Sequence, residues 1–143
     1  MRHYVLASHA YLSKGFTSAL ELIIGRQQHL KYYCAYVDET EAGQEHFKDV
    51  LLHDLDALPP QDEVIVMTDM FGGSVNNELM ELIRRKNTHL VTGVNLALVI
   101  GILTGDEEEP ADQLIPRMVE EARGAMLYCN EMDLEEADPI DDF

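Results

Sequence analysis

The stretch Glu63-Val64-Ile65-Val66-Met67-Thr68-Asp69-Met70-Phe71-Gly72-Gly73-Ser74-Val75-Asn76-Asn77 decides the fold. Five apolar or β-branched residues, Val64 to Thr68, give way to a carboxylate, two bulky apolar residues and a Gly-Gly-Ser turn. Glu78 to Lys86 then reads as a helix. The pattern is a buried strand that ends on an acid, followed by a turn that bares backbone amides at a helix start. In an open parallel sheet, ligands gather at the carboxyl ends of strands. A glycine turn at a helix start suits an anion. An acid beside an anion site requires a further group between them.

The rest of the chain alternates strands and helices. Tyr4–Ala7 reads as the first strand, and Phe16, Ala19, Leu20, Ile23 and Ile24 recur at helical spacing up to Gly25. Leu30–Val37 is the second strand. A helix of about Gln44–Leu58 follows, with Phe47, Val50, Leu51 and Leu55 as its apolar stripe, and Pro59-Pro60 closes it. After strand three, Leu79, Leu82 and Ile83 form the inner face of the next helix. His89–Val94 is strand four, and Leu96–Leu103 is a short buried helix. Pro110 opens a further helix to about Arg123, which Pro116 should kink or split. Ala125–Cys129 reads as a fifth, short strand. The alternation predicts an α/β fold: an open, mainly parallel sheet with helices on both faces.

Composition bounds the function. The 143 residues suit a single domain over 1–130, followed by an acidic, flexible tail over 131–143. A net charge of -17 argues against nucleic acid or an anionic membrane as a partner. Cys34 and Cys129 both sit in apolar runs and read as buried free thiols in a reducing compartment. With neither a signal peptide nor a bilayer-spanning run, the reading is cytoplasmic.

The missing group is His9. It follows strand one, so a parallel sheet places it on the same rim as Asp69 and Asn95. An imidazole nitrogen attacks an electrophile when the proton is held on the other nitrogen, and a carboxylate does this. If the electrophile is a phosphoryl group, the Gly72, Gly73 and Ser74 amides and the Ser74 hydroxyl supply donors to its oxygens. The catalytic candidates are therefore His9 and Asp69, with Gly72, Gly73 and Ser74 as the phosphoryl-binding turn. Ser8, Met70, Phe71 and Asn95 form the rim of the site. Singly, each admits a plainer reading: a loop histidine, an aspartate capping the next helix, a simple glycine turn. Met70 and Phe71 either tuck under the loop or form a docking patch. His3, His29, His46, His53 and His89 read as surface or structural, with no partners at metal spacing.

The segment Val5-Leu6-Ala7-Ser8-His9 resembles the opening of the mannose-class IIA components of the bacterial phosphoenolpyruvate:sugar phosphotransferase system. Thr68-Asp69-Met70-Phe71-Gly72-Gly73-Ser74-Val75-Asn76-Asn77 is similar to that family's Asp-x-x-Gly-Gly-Ser-x-x-Asn signature, and Gly93-Val94-Asn95-Leu96 to its Gly-Val-Asn segment. The likeness runs from Tyr4 to about Cys129. It implies a phosphotransferase that carries a phosphoryl group from the small protein HPr, on His9, to the IIB component, which serves a membrane permease. By the same resemblance, Nε2 of His9 takes the phosphoryl group, Asp69 holds Nδ1, and no metal or other cofactor takes part. It also implies a homodimer in which the C-terminal strand, around Ala125–Cys129, is added antiparallel and exchanged between subunits. The chain departs from the family at Met70, where Thr is common, at Val75, where Pro is common, and after Asn95, where a Pro is missing. Three further readings stand beside the carrier. One is a regulatory domain read out through His9 phosphorylation. Another is a receiver-like domain with Asp69 as acceptor, disfavoured because Ser8-His9 stands where its Mg²⁺ acids belong. The last is a small-anion binding module.

Overall fold

In the computed structural model, which describes residues 1–37 and 41–135, four strands form one sheet. They are β1 (Arg2–His9), β2 (Leu30–Ala35), β3 (Glu63–Thr68) and β4 (Thr88–Thr92), in the order β2-β1-β3-β4 and all parallel. The helices are α1 (Leu12–Ile24), α2 (Glu41–Asp56), α3 (Ser74–Leu79), α4 (Leu96–Leu103) and α5 (Ala111–Gly124).

The period-two alternation of a strand divides the core into two layers. Tyr4, Leu6, Ile65 and Met67 face one side, where they pack with Leu20 of α1, Leu98, Val99 and Ile102 of α4, and Leu114 and Met118 of α5. Val5, Ala7, Val64 and Val66 face the other, against Phe47, Leu51 and Leu55 of α2 and Val75 and Leu79 of α3. Helices thus cover both faces, as the apolar runs of β1 and β3 require.

The strand order fixes where a site can form. From β1 the chain steps outward to β2, crosses back over β1, and proceeds through β3 to β4. The connections therefore leave β1 and β3 toward opposite faces of the sheet: α1 follows β1 on one side, α3 follows β3 on the other. The crevice at this reversal is the topological switch point. Register places Ala7 beside Thr68, so His9 and Asp69 leave adjacent strands at that crevice.

Several local readings are corrected. Val50 is exposed, leaving Phe47, Leu51 and Leu55 as the buried stripe of α2. The helix after β3 starts at Ser74 and tightens into a 3-10 turn over Met80–Arg84. The change from 3.6 to three residues per turn buries Leu82 but turns Ile83 out to solvent. Pro116 lies inside an unsplit α5. Cys34 is half-buried and Cys129 is exposed, so the pair of buried thiols is not found. Ala125–Cys129 forms no strand within the single chain; a turn leads to a short 3-10 segment at Cys129–Glu131. The acidic tail beyond residue 135 lies outside the described residues.

Candidate active site

β1 ends on His9 and the chain then turns sharply: Ala10 adopts φ 48°, and its N–H bonds to Ala35 O at 2.8 Å. β2 ends the same way, with Tyr36 at φ 63°. Left-handed backbone costs a non-glycine residue about 1–2 kcal/mol. Of three such residues among those described, two stand at the strand ends that flank the imidazole. Below them, the buried Ser8 hydroxyl accepts from Ser13 N at 2.7 Å and ties β1 to α1. Ser8 thus supports the site from beneath instead of lining its rim.

β3 delivers the carboxylate. Asp69 Oδ2 accepts two hydrogen bonds from His9, one from the backbone N–H at 2.9 Å and one from Nδ1 at 2.8 Å. Its Oδ1 accepts from Met70 N at 3.1 Å. The side chain is 8% exposed, against 37% for His9. A carboxylate only accepts, so Nδ1 carries a proton, and in the neutral imidazole Nε2 presents its lone pair outward. Asp69 is accordingly committed to His9, and α3 has no side-chain cap.

The glycine turn is built to approach the ring closely. Gly72 has φ +82°, a conformation that favours glycine. Gly73 has an ordinary extended backbone, φ -75° and ψ 157°. A Cβ there would stand 3.0 Å from His9 Cε1 and 2.8 Å from Met70 Cγ. Gly73 is needed for space, and Gly72 for its backbone angle. Asn77 Nδ2 donates to Gly72 O at 3.2 Å and Asn77 N to Gly73 O at 3.0 Å, which fixes the turn. Beneath it, the buried Thr68 hydroxyl has a single proton. It donates to Asn76 Oδ1 at 2.7 Å and accepts from Thr92 Oγ1 at 2.8 Å, which anchors α3 to β3 and β4.

One hydroxyl meets the outward nitrogen, and a second hydroxyl meets the first. Ser74 Oγ lies 3.2 Å from His9 Nε2, and Tyr36 Oη lies 2.9 Å from Ser74 Oγ. The Tyr36 ring stands 5.7 Å from the imidazole, centroid to centroid, and packs edge-on against Phe47. Tyr36 is a site residue that pattern reading passed over. Its one signal was its place just past the strand beside β1, where Ala35 registers with His9.

Met70 and Phe71 do not tuck under the loop: Phe71 is 75% exposed and Met70 54%. Asn95 caps α4, accepting from Leu98 N at 2.8 Å, and makes no hydrogen bond to His9 or Asp69. His3 pairs with Asp62 at 2.9 Å and His89 lies 3.4 Å from Glu63, both at the opposite edge of the sheet. His29 packs edge-on against His3, and His53 is exposed; the His46 side chain lies outside the described residues.

Fold and site together define an open parallel α/β domain that presents a carboxylate-held histidine at its switch point. A family model described as the fructose IIA component of the phosphotransferase system matches residues 3–119. The chain therefore belongs to this mannose-class IIA family of the sugar phosphotransferase system. Among solved structures, it is 37% identical to a protein from Klebsiella pneumoniae provisionally assigned as a phosphoenolpyruvate-dependent sugar phosphotransferase system permease, with a TM-score of 0.81 over 91% of this chain and 92% of that one. Component EIIA from Streptococcus agalactiae shares the fold at 20% identity and a TM-score of 0.78, covering 92% of this chain and 100% of its own. The mannose/sorbose-specific IIA subunit from Enterococcus faecalis does so at 20% and 0.68, covering 96% and 98%. A search of curated proteins finds no match. Among the described residues, no helix is long and apolar enough to cross a membrane.

Proposed function

We propose that the chain is a phosphocarrier that accepts a phosphoryl group from phospho-HPr on His9 Nε2 and passes it to a IIB component. The observation that carries this reading is the double acceptance by Asp69 Oδ2, from His9 N and Nδ1, which turns Nε2 outward as the reacting nitrogen. In the forward step, the Nε2 lone pair attacks phosphorus, a new N–P bond forms, and the donor's N–P bond breaks. The bonding pair leaves with the donor imidazole. The Nδ1 proton stays shared with Asp69, whose negative charge offsets the positive charge that the ring gains. Ser74 Oγ–H and the Gly72-Gly73-Ser74 amides then serve the phosphoryl oxygens. Transfer to IIB is the same exchange in reverse, and needs no metal.

Exposed Met70 and Phe71 beside His9 support protein partners that dock over the rim. The C-terminal run Met126-Leu127-Tyr128 is exposed on every side chain. Its cover, in this reading, is a second subunit in a homodimer that exchanges the segment. Residues 1–130 then form the functional domain and the remainder an acidic tail, and the protein works in the cytoplasm.

The test is incubation with phosphoenolpyruvate, Enzyme I and HPr, followed by intact mass and acid treatment. An acid-labile adduct that is absent in His9→Ala is expected. An adduct that survives His9→Ala, or resists acid, rules the reading out. Cognate IIB added afterwards should discharge the label; a label that stays would favour a regulatory domain over a carrier.

A further inference from the structure

We infer that Tyr36 is a positioning residue for phosphoryl transfer, acting through Ser74; the inference rests on the phosphocarrier reading of His9. The hydrogen bonds have one consistent direction. Nδ1 donates its hydrogen bond to Asp69, so in the neutral, reactive imidazole Nε2 can only accept. The group within reach of Nε2 is Ser74 Oγ at 3.2 Å, so the single Ser74 proton points at the ring. Ser74 Oγ must then accept from Tyr36, whose Oη is 2.9 Å away. The result is a directed chain, Tyr36 O–H to Ser74 O–H to Nε2, that opposes Asp69 across the imidazole and favours the same tautomer.

The surroundings indicate that this placement is built in. Tyr36 holds left-handed backbone at φ 63°, which directs its side chain back over the rim. Tyr36 is 37% exposed, and its ring stands against both the imidazole and Phe47 of α2. Ser74 itself sits at the start of α3, with no other side-chain hydrogen bond among the described residues. Without Tyr36, its hydroxyl could rotate away from the ring.

In the transfer step, Nε2 needs its lone pair for phosphorus, so the Ser74 proton must leave the ring nitrogen. It turns to an equatorial phosphoryl oxygen while Tyr36 keeps hold of Ser74 Oγ. Ser74 thereby changes partner by bond rotation alone, with no movement of the glycine turn. The chain has Met70 after Asp69, which offers the phosphoryl group no hydroxyl. A well-aimed Ser74 is therefore the side-chain donor on that flank.

Tyr36→Phe keeps both ring contacts and removes one hydroxyl. Losing one neutral hydrogen bond corresponds to about a three- to tenfold slower acceptance from phospho-HPr. Because Tyr36 acts through Ser74, Tyr36→Phe should cost nothing further when combined with Ser74→Ala. In the unphosphorylated protein, Tyr36→Phe should also move the ¹⁵N resonance of His9 Nε2 downfield, toward an acceptor without a partner. An unchanged acceptance rate, a Tyr36 effect that persists in the Ser74→Ala background, or an unmoved Nε2 resonance would each overturn the inference. The resonance is read without any phosphoryl donor, and the wild-type label on His9 is scored separately. Failure of Tyr36 and failure of the phosphocarrier reading are thus distinguishable.

Discussion

Replacing Gly73 by alanine separates the chemistry of the site from its stability. The backbone at Gly73, φ -75° and ψ 157°, is one that alanine adopts freely. The obstacle is contact: the new methyl would stand 2.8 Å from Met70 Cγ and 3.0 Å from His9 Cε1. Carbon atoms rest at about 3.5–4.0 Å, so the imidazole contact falls roughly 0.5 Å or more short. Met70 is exposed and can swing aside. The imidazole cannot do so freely, because Nδ1 is bound to Asp69 at 2.8 Å and the backbone N–H of His9 shares the same oxygen. Cε1 lies between the two ring nitrogens, so displacing it moves both. A misplacement near 1 Å costs on the order of 10²-fold in rate, so half of that predicts about a tenfold slower acceptance. Stability should change little, since alanine restricts the unfolded chain by about 0.4–1 kcal/mol and so offsets part of the contact cost. Gly72→Ala is the mirror experiment. With φ +82° and no atom within 4 Å of the new methyl, it should lose about 1–2 kcal/mol of stability to backbone strain. Folded Gly72→Ala should keep most of its rate. Stopped-flow phosphorylation and urea unfolding read the two effects. Wild-type kinetics in Gly73→Ala would refute the argument that the turn rests against the ring.

Asp69→Ala should fold but lose about 1–3 kcal/mol, because the part-buried His9 N–H loses its acceptor. Its acceptance of phosphoryl should slow far more than its urea midpoint falls, and equal losses would argue for a purely structural carboxylate. Burial, and then the hydrogen bond to Asp54, hold the Tyr33 hydroxyl well above the ordinary tyrosine range. The folded state therefore keeps that proton where the unfolded chain gives it up, so this contribution is complete below about pH 10 and declines as pH rises further. Tyr33→Phe should flatten that alkaline decline, measured as urea unfolding at pH 9 and pH 11; an identical slope would refute it. Leu127→Asp places a charge on the exposed C-terminal run. If the proposed homodimer forms through this run, the variant should sediment as a lighter species than wild type, and a wild-type profile would remove the segment from any interface.

Much of this is legible in the sequence. The apolar runs of β1 and β3 reported strands buried on both faces, and their carboxyl ends carried the two residues that meet at 2.8 Å. His9 and Asp69 are sixty positions apart, yet strand parallelism alone brings them to one edge. Less was readable where the outcome depends on distances between elements. Nothing in Cys34-Ala35-Tyr36 announces that the tyrosine hydroxyl will reach Ser74; that follows from register and a left-handed turn. Ile83 fits a helical stripe, but the tightening into a 3-10 turn rotates it outward. Asn95 sits at the right strand end, but its side chain is taken up in capping α4. Ala125–Cys129 has strand composition, and a strand needs a ladder that the single chain does not supply.

The central claim concerns one nitrogen atom. Phosphorylating the uniformly ¹⁵N-labelled protein and correlating ³¹P with the imidazole nitrogens identifies which of the two carries the phosphoryl group. With Nδ1 held by Asp69 and Nε2 facing Ser74, the phosphoryl group should appear on Nε2 of His9. Phosphorus coupled to Nδ1, or to another histidine, would contradict the account.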